Sequence, residues 1–427
     1  MTEEREIGLP ARRAAIDIVS SALTRRAGVE EALSRPGFRN LEPRDRGFAM
    51  ALAMATLRRL GPIELALDGR LAKPPPEAVR NILRIGVTQA FLMDTPAFAA
   101  VTTSVDLAAS HSSTRAFKGL VNGVLRGLLR EPPKLDDPES LCPPWLYARW
   151  SAAFGAEAAS AMAALIAEEP ATDLSLKDPA QAERLAGELE AEILPGPSLR
   201  TARKGDVAAW PAYDEGAWWV QDASAAIPAR LLDVKPDESA LDLCAAPGGK
   251  TLQLAAAGAG VVAVDRSAAR LTRVAENMTR MGLTAESVTA DAGDWADTRT
   301  FDAVLLDAPC SATGTYRRHP DVLWAARPSD IAALAGVQSR LLDSAAERVK
   351  PGGRLVYCVC SLEPEEGEAQ IAAFLARRKD FTLAPAAPGE GGAPEASLRP
   401  DGTLRLLPHH RAGGQDGFYA ARLKRES

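Results

Sequence analysis

Two stretches of this 427-residue chain gather groups able to act as nucleophiles and bases. FDAVLLDAPCSATGTYRRHPD, Phe301 to Asp321, sets Asp307 and Cys310 on either side of Pro309 and follows them with Arg317, Arg318 and His319. RLVYCVCSLEPEE, Arg354 to Glu366, spaces Cys358 and Cys360 one residue apart. A thiolate that adds to an electron-poor carbon and later leaves divides one hard substitution into two easier steps. Carbon 5 of a pyrimidine is such a case: it becomes enamine-like, and able to take a methyl group from a sulfonium donor, once a thiolate has added to C6. The C5 proton must then depart and the thiolate be expelled. That chemistry needs a nucleophilic Cys, a group for the N3/N4 edge and a base, and two thiols with a carboxylate meet the requirement. Methylation of an exocyclic amine by a D-P-P-Y or N-P-P-Y sequence needs no nucleophile, and here a thiol stands in place of the aromatic. Read alone, Cys310 serves equally well as a small buried hydrophobe.

Strand alternation sends Cys358 and Cys360 to one face, about 6.6 Å apart along the strand, so a disulfide between them would be strained. A C-x-C zinc site lacks nearby partners. Cys360 lies at the strand's carboxyl end, before Ser361 and an acidic turn, whereas Cys358 reads as buried filler.

The elements that must position these groups are strands alternating with helices. SALDLCAA, GVVAVD, FDAVLLDAP and GRLVYCVCS are short apolar runs, separated by helical patterns such as KTLQLAAAG and SAARLTRVAENMTRMG, which predicts a mainly parallel, doubly wound sheet. Ligands of such sheets bind outside the carboxyl ends of the strands. DLCAAPGGKT, Asp242 to Thr251, ends one strand in a Gly-rich turn that lets backbone approach a ligand. It is neither a P-loop, which needs Gly where Cys244 stands, nor a G-x-G-x-x-G fingerprint. Asp265 ends GVVAVD where a carboxylate would accept from ribose hydroxyls, and Asp291 follows the third strand. Each acid alone reads as a cap or a solvated turn; the three strand ends together favour a nucleoside cofactor.

Upstream, RRAAIDIVSSAL, RGFAMALAMATLRRL, EAVRNILRIGVTQAFLM and STRAFKGLVNGVLRGLLRE have helical spacing throughout. The expected organisation is an all-α domain over 1–135, a Pro- and acid-rich linker at 131–145, a small α/β subdomain over 140–216 and the strand–helix domain over 217–427. Net charge is -6 for the whole chain but +6 over residues 1–135, a basic module that reads either as solvated helix faces or as an RNA-binding surface. No apolar run approaches the ~20 residues of a bilayer span, and the charged N-terminus lacks a signal-peptide core. The five cysteines make no disulfide framework. The protein is expected in the cytoplasm, with free thiols and no metal; His409 and His410 read as loop residues.

Two resemblances follow from these residues. Around AFKGLVNGVLRGLLR the helical part resembles the domain of the antitermination factor NusB, an RNA-binding fold. DLCAAPGGKT, VDRSAARL, FDAVLLDAPCSATGTYRRHPD and YCVCSLEPEEGE, in that order, resemble the RNA cytosine-5 methyltransferases. The match covers roughly 217–375, and LPHHRAGGQDGFYAARLKR resembles that family's closing strand pair. The resemblance implies a Rossmann-like methyltransferase domain behind a NusB-like one, with S-adenosyl-L-methionine as cofactor and naked or partly assembled 16S rRNA as partner; a tRNA substrate stays open on physical grounds. It implies that Cys244, Ala245, Ala246, Pro247, Gly248, Gly249 and Lys250 cradle the methionine part, that Asp265 holds the ribose, and that Asp291 lies by the adenine. Asp307 would lie beside cofactor and base, Cys360 would be the nucleophile, and Cys310 would help release the product. Gln221 and Asp222 match a segment lining the cofactor pocket; from the charge split, the basic helical part together with Arg317 and Arg318 is expected to contact phosphates. The family often has Gly where Ala312 stands and Asn where Gly367 stands. A non-catalytic RNA-binding protein would need neither thiol, and a nicotinamide oxidoreductase would need the missing G-x-G-x-x-G.

Overall fold

A computed structural model describes residues 8–25 and 28–427; the N-terminal segment 1–7 read above lies outside the described residues. The fold divides into two compact units. One comprises the described residues up to Glu169 with Arg318–Ala325, the other Pro170–Arg317 with Ala326–Ser427.

The first unit is helical, as its apolar spacing predicts. Its longer helices are Leu9–Ser20, Pro43–Arg58, Glu77–Leu92, Ala97–Ala109 and Lys118–Arg130. Helix Glu77–Leu92 joins two cores: Ile85 packs with Ile18 and Leu52, while Leu83 and Val87 pack with Ile63, Val121 and Leu125. Its buried Arg80 and Arg84 donate through Nε to the two oxygens of Glu64, at 2.7 and 2.6 Å. Such pairs remove one charge of each sign, so the basic excess of this part of the chain survives them. Within Arg318–Ala325, Trp324 Nε1 donates to the Leu57 carbonyl at 3.2 Å.

The second unit opens with β1 (Thr172–Leu176), β2 (Ala191–Leu194), β3 (Ser198–Thr201) and β4 (Trp218–Val220), an antiparallel sheet in the order β2-β3-β1-β4. Within 140–216, helices Pro144–Phe154 and Ala156–Ala164 thus belong to the helical unit, and the small sheet runs on to Val220.

The main sheet contains β5 (Ser239–Leu243), β6 (Gly260–Asp265), β7 (Glu286–Thr289), β8 (Phe301–Asp307), β9 (Val349–Val359), β10 (Phe381–Leu383), β11 (Leu404–Leu406) and β12 (Phe418–Arg425). Its order is β10-β12-β9-β8-β5-β6-β7, with β11 also on β12. β5 to β9 pair in parallel, and β12 runs antiparallel to β9. The central strands read as unbroken apolar runs because both faces are covered: Leu306, Tyr357 and Phe374 pack on one side, and Ile227, Val356 and Phe418 on the other. The strand order reverses between β5 and β8, which opens a crevice at their carboxyl ends.

The small sheet is fastened by a buried ion pair. Arg200 donates to Asp173 through Nε and Nη2 at 2.7 and 2.8 Å, and Asp173 Oδ2 also accepts from the Ala223 amide at 3.0 Å. Arg200→Ala leaves that carboxylate buried without its cation and is expected to destabilise the protein by about 3–5 kcal/mol. Urea unfolding of the variant checks this, and a loss below about 1 kcal/mol, the value of an exposed pair, would contradict it.

Candidate active site

After β5 the chain turns through Cys244, at φ 63°, and Gly248, at φ 105°, into helix Gly249–Ala256. A Cβ on Gly248 would stand 3.1 Å from Val274, and one on Gly249 3.2 Å from the Gln221 amide. The glycines therefore let the turn close tightly on its surroundings. Asp265, at the end of β6, accepts from the Ala246 amide at 3.1 Å and the Ser267 amide at 3.0 Å, tying this turn to the neighbouring strand end. Asp291, exposed beyond β7, accepts from the Gly293 amide at 2.8 Å; that bond, with Arg340 nearby, holds it below the usual carboxylate range. Cys244, Asp265, Asp291, Pro309, Val337 and Leu341 line one cleft of about 80 Å³. Carboxylates for hydroxyl groups and apolar walls for a flat ring make a donor set that fits an adenosine-bearing cofactor. Burial, then the carboxylates of Asp307 and Asp265, push the Cys244 thiol up to about 12, so it stays protonated.

The thiols come together by strand pairing. β8 lies parallel to β9 with Asp307 opposite Cys358. The loop after β8 stays on β9: the Ala308 amide donates to the Cys358 carbonyl and the Gly314 amide to the Cys360 carbonyl, each at 3.0 Å. Cys310 Sγ thereby stands 3.4 Å from Cys360 Sγ. That contact, then burial and the charges of Cys360 and Glu366, raise the Cys310 pKa well above its ordinary value. Asp307 Oδ2 accepts from Lys250 Nζ at 2.7 Å, and Oδ1 from the Cys358 thiol at 3.4 Å. Burial alone would depress Lys250, but Asp307 together with Cys358 and Cys360 outweighs it and the ammonium is held charged. A thiol pair, a carboxylate and a cation thus share one strand-end crevice, which suits covalent attack on an electron-poor ring.

Several positions differ from their sequence reading. Arg317 meets no solvent phosphate: it is buried, 3.5 Å from Asp222 and 4.0 Å from Asp416, and donates to the Gly413 carbonyl at 2.9 Å. Asp222 is correspondingly engaged with Arg317 and caps helix Ala223–Leu232, while Gln221 adjoins Gly249. Cys358 is buried as expected, but its thiol has a carboxylate partner. His410 contacts Ser397 and stacks edge-on with His409. Among the described residues no group of three or more His, Cys, Asp or Glu is placed to hold a metal, and no helix is long and apolar enough to cross a membrane. Sequence reasoning placed Lys250 in the cofactor turn alone and did not single out Asp242 or Glu366. Asp242 sits in the same quoted motif, and its signal was an acid inside an otherwise apolar strand.

A family model described as 16S rRNA methyltransferase RsmB/F matches residues 229–424, and one described as NusB family matches 9–130. The chain is 36% identical to ribosomal RNA small subunit methyltransferase B of Pseudomonas syringae pv. tomato, over 96% of each protein. It is 37% identical to the protein of that name from Sodalis glossinidius, over 91% of each. The chain belongs to the RsmB/F methyltransferase family. Among solved structures, PH0851 is similar over 98% of this chain and 99% of its own, with a TM-score of 0.78 and 26% identity. The NusB-like helical domain and the Rossmann-like methyltransferase domain are as the resemblances implied. The two departures from the family pattern differ in kind. Ala312 adopts φ 56°, a region that favours glycine. At Gly367 a Cβ would stand 2.8 Å from the Tyr419 ring, so Asn would not fit this packing.

Asp242 is fully buried: Oδ2 accepts from Thr251 Oγ1 at 2.6 Å, and Oδ1 has no partner. Burial pushes its pKa up to about 7, against the Thr251 bond and with help from Asp307. An unfolded aspartate ionises near 3.9, so the neutral acid's contribution to stability is complete below about pH 4 and is lost as pH rises to about 7. Asp242→Asn does not titrate. Relative to the natural protein it is expected to gain up to about 4 kcal/mol between pH 4 and pH 8, at 1.36 kcal/mol per pKa unit. Urea unfolding at both pH values checks this, and a constant difference would contradict it.

Proposed function

We propose that this chain methylates C5 of a cytosine in 16S rRNA, with S-adenosylmethionine as methyl donor, through a covalent bond between Cys360 and C6. The observation that carries the reading is the pair of sulfur atoms 3.4 Å apart beside the Lys250–Asp307 ion pair. Family membership, and the names of relatives that match nearly end to end, support the substrate class.

In this reading Cys360 loses its proton to solvent and attacks C6 as the thiolate, with Cys310 beside it. The new S–C6 bond pushes electron density onto C5. Asp307, with Lys250 beside it, faces the polar edge of the ring. S-adenosylmethionine, held by the turn from Cys244 to Lys250 and by Asp265 and Asp291, supplies the methyl group that C5 receives. A solvent water then takes the C5 proton, the C5–H electrons restore the C5–C6 double bond, and the S–C6 bond breaks with its electrons returning to Cys360; we assign Cys310 to this release. Stacked C5 and C6 are out of reach, so the cytosine must be unpaired or extruded. The basic NusB-like domain, expected at 1–135, grips phosphates without reading sequence. Such a substrate places the protein in the cytoplasm.

Tritium transfer from labelled S-adenosylmethionine to 16S rRNA is the test. Cys360→Ala is expected to abolish transfer and the denaturation-resistant RNA adduct, whereas Cys310→Ala forms the adduct and accumulates it. The opposite pattern reverses the two roles, and transfer to tRNA in place of 16S rRNA moves the substrate.

A further inference from the structure

Glu366 is an acid in an acidic turn, yet its side chain is fully buried. Its carboxylate collects four donors from three segments of the chain. Oε1 accepts from the Ser311 amide at 2.9 Å and from Gln338 Nε2 at 3.0 Å. Oε2 accepts from the hydroxyls of Ser311 and Ser361, which lie 3.1 Å from one another. The carbonyl of Glu366 also accepts from the buried Tyr357 hydroxyl at 2.6 Å. Each serine directly follows a thiol, Ser311 after Cys310 and Ser361 after Cys360.

We propose that Glu366 is a positioning residue for the covalent step: its carboxylate ties the loop carrying Cys310 to the strand end carrying Cys360 and so fixes the separation of the two sulfur atoms. Backbone bonds from Ala308 and Gly314 hold the two ends of that loop on β9. Between them Ala312 has left-handed backbone, and the Glu366 carboxylate supplies a direct fastening beside Cys310. Four donors around one buried carboxylate form a closed network, where removal of the hub leaves Ser311 N–H and Gln338 Nε2 without those bonds. The charge has a second effect, because it helps keep the Cys310 thiol protonated.

The inference rests on both thiols acting in the reaction, but its test does not. Phenylarsine oxide binds tightly only where two sulfurs reach one arsenic, so its affinity reports the thiol separation without RNA or cofactor; Cys310→Ala supplies the background. Glu366→Ala is expected to weaken arsenical binding about 100-fold. It is expected to lower kcat for methyl transfer comparably while leaving KM for S-adenosylmethionine unchanged. Glu366→Gln keeps the shape and one acceptor oxygen but faces some donors with an amide, and is expected to fall between. Ser311→Ala removes a single hydroxyl and gives a smaller loss, which keeps the test available if Glu366→Ala does not fold. Arsenical affinity equal to that of the natural protein in folded Glu366→Ala would overturn the proposal, even if kcat fell. Loss of affinity in a protein inactive on every RNA would uphold the positioning and refute the proposed function.

Discussion

The site depends on the pairing of β8 with β9. Parallel strands lie about 4.8 Å apart, and this register sets Asp307 directly opposite Cys358. Both strands then end at the same edge, and the loop after β8 continues the ladder through Ala308 and Gly314. A slip of one residue would turn Cys358 and Cys360 to the other face and separate Cys360 from Cys310. The register is held from the other side by β12, which pairs with β9 from Tyr419↔Val359 to Lys424↔Arg354. The closing antiparallel strands are therefore part of the apparatus that aims the thiols.

Electrostatics at that edge are set by burial. Asp242, Asp265 and Asp307 end or nearly end three neighbouring strands, and burial, then the charges of Asp307 and Asp265, opposes ionisation of Asp242. The protein disperses the problem. Asp242 is held neutral toward pH 7, Asp265 is met by two backbone amides, and Asp307 is paired with the buried Lys250. Breaking a buried pair costs more than the pair contributes, which makes Lys250 and Asp307 interdependent.

Much of this was legible in the sequence because periodicity reports burial directly. Apolar runs of four to six residues gave the parallel strands, helical spacing gave the N-terminal unit, and alternation with position at a carboxyl end separated Cys360 from Cys358. What escaped depends on partners distant in sequence. Arg317 sits in a basic run that looks solvated, and only the fold brings it Asp222 and Asp416. Glu366 stands beside the exposed Glu365, and nothing local distinguishes the two acids. Cys358, one pleat repeat back from the strand's end, reads as filler, although its neighbour across the ladder is a carboxylate.

The loop between Asp307 and Arg317 carries a departure from the family pattern at Ala312. A Cβ on Gly314 would stand 2.1 Å from the Gly417 carbonyl oxygen, and the Gly417 amide donates to the Gly314 carbonyl at 2.8 Å. Glycine is therefore required at 314 by contact. At Ala312 it is favoured by backbone angle alone, at a cost of about 1–2 kcal/mol for an L-residue. A cost of that size is tolerable where the neighbouring residues are fastened on both sides, as Ser311 is by Glu366 and Gly314 by Cys360 and Gly417. The strain thus falls between two fastened positions.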